Sequence, residues 1–402
     1  MKVLVADLFS KDGMEDLKAS GIEVHYDAGL NGESLTKAMS EVQPNILVVR
    51  STKVTKDMID ADPKLQMVVR AGAGYDTIDV AHCASLGVYV TNCPGKNAHA
   101  VAELALGLML SIDRRIAENV QLLKEAKWNK GAYANCAGIK GKTIGVVGLG
   151  SIGLLVIERA KAFEMNVIGF SRQARPDLAK KYGIEVTNNL GYLLQNSDVV
   201  SFHIPGGKST ENIIDSELLS HMKKDAVLLN TSRGSIVNED HLFAHLEENK
   251  DFWYGTDVFK GEPAGKDGVF DHPIAKHPRV YGTHHIGAST KQSEAAIGEE
   301  AVRIIKKFAT QGAVDNENCV NRENSSDQIH KMSIRHLDKV GVLAHAFQVF
   351  ANHQLNVQEV ENIVFKDRLA CVANIKFIGE ISNIDQALEE IRKNENVLDI
   401  SL

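Results

Sequence analysis

Thr143-Ile144-Gly145-Val146-Val147-Gly148-Leu149-Gly150-Ser151-Ile152-Gly153 is the stretch on which the fold turns. Five residues of strand character run straight into a G-x-G-x-x-G, and a helix-length segment from Leu154 to Ala162 follows. Gly148 permits the tight turn, Gly150 lets the backbone approach a pyrophosphate, and Gly153 allows helix and strand to pack closely. The first N–H groups of the new helix lack partners within it and carry partial positive charge, which suits phosphates. The segment reads as a βα unit that binds a dinucleotide.

The same alternation extends outward in both directions. Apolar runs at Lys2–Asp7, Asn45–Arg50, Met67–Arg70 and Val88–Thr91 precede the motif. Asn166–Phe170, Asp198–His203, Ala226–Asn230, Gly255–Phe259 and Arg279–Tyr281 follow it, with helix-length segments between. Unbroken apolar strands between helices belong to parallel sheets covered on both faces. Two series predict two doubly wound, Rossmann-like α/β units. The first takes residues 1–95 as a substrate-binding unit, completed by 286–310; the second, 96–285, is a dinucleotide unit inserted in it. The helix Ala98–Ile112 connects the two, and a helix over Ser293–Phe308 crosses back. Its apolarity predicts that Ala98–Ile112 is covered by a second copy of the chain, as a homodimer or homotetramer. Residues 311–328 are polar and aperiodic and read as a linker. Residues 329–402 follow the order β-α-β-β-α-β, a small ferredoxin-like α+β unit without a catalytic cluster, hence a regulatory or dimerising one.

Composition narrows the class. The chain has 402 residues, 45 Lys plus Arg against 52 Asp plus Glu, and a net charge of −7. A bulk nucleic-acid binder would present a basic domain or face instead. With 44% hydrophobic and 24% charged residues it is an ordinary globular composition. The longest apolar patch, Leu104–Leu110, is far too short to span a bilayer. Met1–Asp7 reads as a strand and not as a secretory leader. Five scattered cysteines without a C-x-x-C pair fit reduced thiols and a cytoplasmic location, and no metal site is expected. His241 and His245 stand one helical turn apart, but a solvated helix face explains them better than a metal.

The position that reads the adenosine ribose is informative. A carboxylate about 20 residues past the glycines, at the end of the next strand, accepts from the ribose 2′-hydroxyl in NAD-binding folds. Here Ser171-Arg172 stand after Phe170. A hydroxyl and a guanidinium suit a 2′-phosphate, so the sequence leaves NAD and NADP both open.

Three segments past later strands carry reactive chemistry. Asn230-Thr231-Ser232-Arg233-Gly234 offers a guanidinium able to grip a carboxylate with two hydrogen bonds. Asp257-Val258-Phe259-Lys260-Gly261-Glu262 offers a carboxylate on a turn, and His284-His285-Ile286-Gly287 an imidazole. A carboxylate beside a histidine orients it and stabilises its protonated form, which makes an acid/base pair for a hydroxyl proton.

These motifs, with Val49-Arg50-Ser51-Thr52-Lys53, Arg70-Ala71-Gly72-Ala73-Gly74 and Asn92-Cys93-Pro94-Gly95, resemble those of the D-2-hydroxyacid dehydrogenase family over nearly the whole chain. The nearest branch by resemblance carries a C-terminal ACT domain and oxidises 3-phosphoglycerate to 3-phosphohydroxypyruvate with NAD, towards L-serine. The resemblance implies that Arg233 binds the substrate carboxylate, His285 is the acid/base and Glu262 its partner. It implies a cofactor lined by Gly148, Gly150, Ser151, Ile152, Gly153, Ser171, Arg172, His203, Pro205, Thr231, Ser232, Asp257, His285 and Gly287, with Asp257 towards the carboxamide. The substrate loop corresponds to Arg70, Gly72 and Ala73. The family carries Pro before its histidine, where this chain has His284; which of His284 and His285 faces the substrate stays open.

A phosphorylated substrate needs further cations, for which Arg50, Lys53, Arg70 and, from a neighbouring subunit, Lys130 are the candidates. In the tail, His336, Asp338 and Asn356 stand where serine-inhibited relatives hold their effector. Two other functions stay open. Ser171-Arg172 resembles the NADP-using glyoxylate and hydroxypyruvate reductases of the same family, and relatives exist that only sense NAD(H) as binding proteins.

Overall fold

Strand β1 (Lys2–Val5) buries Val3, Leu4 and Val5 in succession, which a strand does only when both its faces are covered. β2 (Glu23–Tyr26), β3 (Ile46–Val49), β4 (Met67–Arg70) and β5 (Tyr89–Thr91) join it in a parallel sheet ordered β2-β1-β3-β4-β5. A computed structural model describes residues 1–263, 268–323 and 329–402. The chain divides into two compact units, 1–321 and 322–402, and the first holds two sheets. No helix among the described residues is long and apolar enough to cross a membrane.

The second sheet comprises β6 (Thr143–Val147), β7 (Asn166–Phe170), β8 (Glu185–Thr187), β9 (Val199–Phe202), β10 (Val227–Asn230), β11 (Trp253–Thr256) and β12 (Val280–Gly282). All are parallel, in the order β12-β11-β10-β9-β6-β7-β8. The order reverses between β6 and β9, and in such sheets the crevice at the carboxyl ends of that pair is where ligands bind. Both doubly wound sheets expected from the sequence are present. The strands missing from that reading, β2 and β8, are edge strands with partly exposed faces and the short sequences EVHY and EVT. Strand β11 also ends earlier than the sequence suggests, at Thr256. Asp257 to Phe259 therefore lie beyond it.

The return helix Lys291–Gln311 packs Ile297, Ala301, Val302, Ile305 and Phe308 on the first sheet, against Val3, Val5 and Val69. The helix Ala98–Arg114 packs Ala102, Ala105, Met109 and Ile112 on Ile144, Val146 and Leu229 of the second. Its apolar residues are thus covered within the chain and give no argument for a dimer, which corrects the reasoning from sequence. Exposed apolar side chains lie instead on the next helix, Ile116–Lys124, at Ile116, Val120 and Leu123, and at Trp128 beyond it.

Part of the segment read as a linker is likewise built into the first unit. β5 is an edge strand with free backbone groups, and such edges recruit further chain. Thr91 bridges Cys319 in antiparallel fashion, Val320 N–H donates to Val90 O over 2.8 Å, and Asn321 Oδ1 accepts from Val90 N–H over 2.9 Å. Residues 324–328 of that segment lie outside the described residues.

The second unit is an antiparallel sheet of β13 (His330–Leu337), β14 (Asn356–Val364), β15 (Ala370–Ile378) and β16 (Val397–Ser401), ordered β14-β15-β13-β16. β15 alternates buried and half-buried residues, the signature of a sheet covered on one face. Ile334, Ala373, Ile375 and Phe377 meet Phe350 of the helix Val342–Asn352 and Ile384, Ala387 and Ile391 of the helix Ile381–Ile391. The β-α-β-β-α-β order and ferredoxin-like arrangement agree with the sequence. Phe377 is fully buried with its ring 5.0 Å from that of Phe350. Phe377→Ala is expected to cost the C-terminal unit about 3–5 kcal/mol, read by denaturation of the full chain; a loss below about 1 kcal/mol would show that this core is not closed as described.

Candidate functional site

The glycine motif closes as its spacing requires. A Cβ at Gly153 would run into the Gly148 carbonyl oxygen, and one at Gly148, whose φ is +101°, would run into His203 O. At Gly150 a Cβ would meet nothing, so there the backbone borders open space. Gly150 caps the helix Ser151–Ala162 without a side-chain bond, which leaves the N–H groups of Ser151, Ile152 and Gly153 without partners within the helix. Beside it, His203 is hydrogen bonded through Nε2 to Ser201 Oγ over 2.8 Å, while its buried Nδ1 has no partner. Burial pushes the His203 imidazole down to about 4, so it is neutral. Thr231 Oγ1 is also buried and unpartnered, and Ser232 Oγ donates to Phe202 O over 2.7 Å. Pro205 is exposed at the mouth of the crevice. An open glycine cradle and two orphaned polar atoms at the switch point fit a dinucleotide.

At the end of β7, Ser171 N–H is spent on Thr187 O, a backbone tie to β8. Arg172 is exposed and has no ion pair among the described residues.

The strand ends β10, β11 and β12 bring the reactive groups together. His285 Nδ1–H donates to Glu262 Oε2 over 2.7 Å, and Glu262 Oε1 accepts from Phe259 N–H over 2.7 Å. His284 is exposed and has no hydrogen bond among the described residues, so His285 is the histidine of the pair. The hydrogen bond to Glu262 holds the His285 imidazole above its ordinary 6.5, against the opposing pull of burial. Burial acts to raise the Glu262 carboxyl, but the bonds from His285 and the Phe259 amide outweigh it and the carboxyl lies low. His285 sits at φ +52°, a left-handed conformation that a non-glycine residue keeps only when its surroundings impose it.

Asp257 imposes it. Its carbonyl accepts from His285 N–H over 2.9 Å. Its carboxylate, 2% exposed, accepts from Thr283 Oγ1 (2.6 Å), Ile286 N–H (2.8 Å) and Gly287 N–H (2.7 Å). The side chain expected to face the carboxamide is therefore committed largely to its own protein, as the brace of the His285 turn. That commitment was invisible in the sequence because the three donors lie 26–30 residues downstream.

Cations from both sheets gather near this pair, Arg233 close enough for its charge to act on His285 and Glu262. Arg233 donates from Nε to Asp76 Oδ2 (2.8 Å) and from Nη1 to Ser232 O (2.7 Å), and its Nη2 lies over Gly74, where a Cβ would displace it. Arg70 is half-buried with its guanidinium over Gly72, at φ +148°, and its buried Nε has no partner. Burial first, then the nearby Arg233, pull the Arg70 guanidinium down to about 10. Arg50 adds a third charge and is paired with Glu294 at 3.0 Å. Ala73 O accepts from Asn92 Nδ2 over 2.6 Å. Lys53 and Lys130 are exposed and have no ion pair among the described residues; the structure does not join them to this group. Asp76 and Asn92 are the site residues that sequence reasoning missed, since neither carries a reactive or cationic group.

In the C-terminal unit the three residues assigned to an effector do not converge within one chain. His336 pairs with Cys371 and Asn356 with Ile378, at opposite ends of β15. Seven residues of strand separate them, roughly 23 Å. The His336 ring is buried, with Nδ1–H donating to Leu337 O (2.8 Å) and Nε2 facing the Asn362 amide at 3.3 Å. The Asp338 side chain lies against the Cys371 thiol, which burial and that carboxylate push up.

Comparison with known proteins bears on this arrangement. Residues 106–287 match the family model "D-isomer specific 2-hydroxyacid dehydrogenase, NAD binding domain". The chain is 37% identical over 325 residues to a D-3-phosphoglycerate dehydrogenase of Methanocaldococcus jannaschii, covering 81% of this chain and 60% of that one. It is 40% identical over 281 residues to a hydroxypyruvate reductase of Thermotoga maritima, covering 69% of this chain and 88% of that one. Among solved structures, 3-phosphoglycerate dehydrogenase of Entamoeba histolytica with bound NAD+ superposes with a TM-score of 0.64 at 29% identity, over 78% of this chain and 97% of that one. The chain thus spans about 60% of the length of the first of these relatives.

The glycine geometry generates a direct test. Gly153→Ala is expected to cost about 1–3 kcal/mol through the clash with Gly148 O, seen as a lower Tm and weaker NADH binding in a fluorescence titration. Unaltered NADH binding would show that this turn is not the phosphate cradle.

Proposed function

The chain belongs to the D-isomer specific 2-hydroxyacid dehydrogenase family, and from that premise we propose that it oxidises 3-phosphoglycerate to 3-phosphohydroxypyruvate with NAD, in the cytoplasm and towards L-serine. The observation that carries the substrate is the grouping of Arg50, Arg70 and Arg233, of which Arg233 stands near enough to act on the His285–Glu262 pair. One arginine suffices for a carboxylate; a phosphate on the same molecule needs more cationic charge, and Arg50 and Arg70 provide it.

In this reading Arg233 holds the substrate carboxylate with its Nη2 edge. His285 presents Nε2 to the C2 hydroxyl, because Nδ1–H is taken by Glu262. Neutral His285 accepts the hydroxyl proton as the C2 hydrogen leaves as hydride, and Glu262 stabilises the imidazolium formed. The bound nicotinamide dinucleotide supplies the hydride acceptor. In the reverse direction His285 returns the proton to the keto oxygen. Assembly as a homodimer or homotetramer is part of the proposal, supported by the exposed Ile116, Val120, Leu123 and Trp128.

A second reading, a glyoxylate or hydroxypyruvate reductase using NADP, is favoured by Arg172, a guanidinium without an ion pair at the ribose-reading strand end. Initial rates with 3-phosphoglycerate, hydroxypyruvate and glyoxylate, each with NAD(H) and NADP(H), separate the two. The proposal expects 3-phosphoglycerate with NAD to give the highest kcat/KM and Arg50→Ala to raise its KM about tenfold. A KM untouched by Arg50→Ala would remove the phosphate role, and NADH binding without turnover of any 2-hydroxy acid would mark a sensing protein.

The acid/base pair sets the pH dependence. Oxidation requires neutral His285, so its rate climbs with pH through a value above 6.5. Glu262→Gln takes away the anion that stabilises the imidazolium and lowers that value. The rising limb of kcat is expected at lower pH, with the plateau reduced about 100-fold; an unmoved limb would mean that the pair does not carry the proton.

A further inference from the structure

The strap that ends the first unit reaches further than a cover for the edge of β5 requires. Val320 and Asn321 already satisfy that edge. Asn318, three residues before the unit ends, is 1% exposed and grips Asn92 on both sides. Its carbonyl accepts from Asn92 N–H over 3.0 Å, and its Nδ2 donates to Asn92 O over 3.1 Å. The remaining amide atoms are held from the return helix: Nδ2 also donates to Glu300 Oε1 (2.9 Å), and Oδ1 accepts from Arg303 Nη2 (2.7 Å). A buried amide with every polar atom bonded is a rigid fixture, since any displacement leaves polar groups unpaired.

What Asn318 grips is the support of the substrate loop. Asn92 Nδ2 donates to Ala73 O over 2.6 Å, and Cys93 N–H to Gly72 O over 2.9 Å. Gly72 and Gly74, either side of Ala73, are the floors on which the Arg70 and Arg233 guanidinium groups rest. We propose that Asn318, acting through Asn92, positions the loop Arg70–Gly74, so that the strap leading into the C-terminal unit is a working part of the substrate site. The inference rests on the dehydrogenase reading for its kinetic arm alone. Asn318 is a positioning residue; its arginine partner is Arg303 of the return helix, and no hydrogen bond joins it to Arg50, Arg70 or Arg233 among the described residues. The clamp is also permanent. The Arg303 bond holds the Glu300 carboxyl down at about 2 in spite of burial, so its charge persists at all working pH values.

The test uses the full chain and two readouts, steady-state kinetics and hydrogen exchange of the peptide covering residues 70–76. Asn318→Ala is expected to raise KM for the 2-hydroxy acid about tenfold with kcat within about twofold. NADH affinity should stay unchanged, and exchange at 70–76 should quicken. Asn92→Asp cuts only the last link, from Nδ2 to Ala73 O, and is expected to raise KM likewise; it serves if Asn318→Ala does not fold. Asn321→Ala loosens the strap without touching Asn92 and should leave both readouts at 70–76 unchanged. Unaltered exchange at 70–76 in both Asn318→Ala and Asn92→Asp overturns the proposal, as does an equal KM rise in Asn321→Ala. If no 2-hydroxy acid is turned over by the unaltered protein, the dehydrogenase reading fails while exchange still decides the role of Asn318.

Discussion

The buried carboxylate of Asp257 is the constraint on which the reactive half of the site depends. A carboxylate 2% exposed is tolerable only when hydrogen bonded, and here three donors from Thr283, Ile286 and Gly287 surround it. Those bonds fold the chain after β12 into a tight turn, and the turn forces His285 into its left-handed conformation. The same Asp257 leads, five residues on, to Glu262. Histidine and glutamate thus meet at 2.7 Å because one residue anchors the loops that carry both. The strain at His285 is stored against Asp257, so the pair is set before any substrate arrives.

Charge is arranged on the same principle of local compensation. The chain carries a net −7, yet its proposed ligands are anions. Burial first, then the charges of Arg233 and Arg50, disfavour the protonated form of Arg70. Asp76 and Glu294 offset part of that repulsion from positions of considerable exposure. Exposed pairs of this sort are worth about 0–1 kcal/mol, so an incoming carboxylate or phosphate competes with them at little cost. The half-buried Arg70 has no carboxylate partner among the described residues, so it has no such competitor.

Much of this was legible in the sequence, and the parts that were not share a cause. The glycine hexad, the apolar strand runs and the β-α-β-β-α-β tail are local patterns, and each emerges as written. Arg233, Glu262 and His285 were singled out because each stands in a short segment past a strand, and His285 and Glu262 are hydrogen bonded. The edge strands β2 and β8 escaped because partial exposure removes the apolar run that marks a strand. The helix Ala98–Ile112 was expected to be covered by a second copy because apolarity alone does not say whether the cover comes from the same chain. Asp257 as a brace, Asp76 as a counter-ion and Asn92 as a support depend on partners 19–226 residues away in sequence, if the Asn92–Asn318 contact is included. The register likewise had to be seen for His336 and Asn356, which the antiparallel pairing sets at opposite ends of β15 within one chain.

The division of the chain into sheets also explains why the two halves of the site depend on different things. The His285–Glu262 pair, the glycine cradle and Arg233 all hang on the second sheet, whose strand ends are fixed by parallel pairing and by Asp257. The loop Arg70–Gly74 leaves the first sheet at β4, next to the edge strand β5, where pairing is available on one side only. An edge strand left open is the weakest place from which to aim a half-buried guanidinium. Closing it with residues 319–321 removes that weakness, and burying Asn318 against Asn92 carries the reinforcement up to the loop itself. A parallel sheet whose site lies beside its edge needs such a support from somewhere. In this chain the support is the segment that also leads to the second unit, which gives a polar, aperiodic stretch of sequence a structural reason to be there.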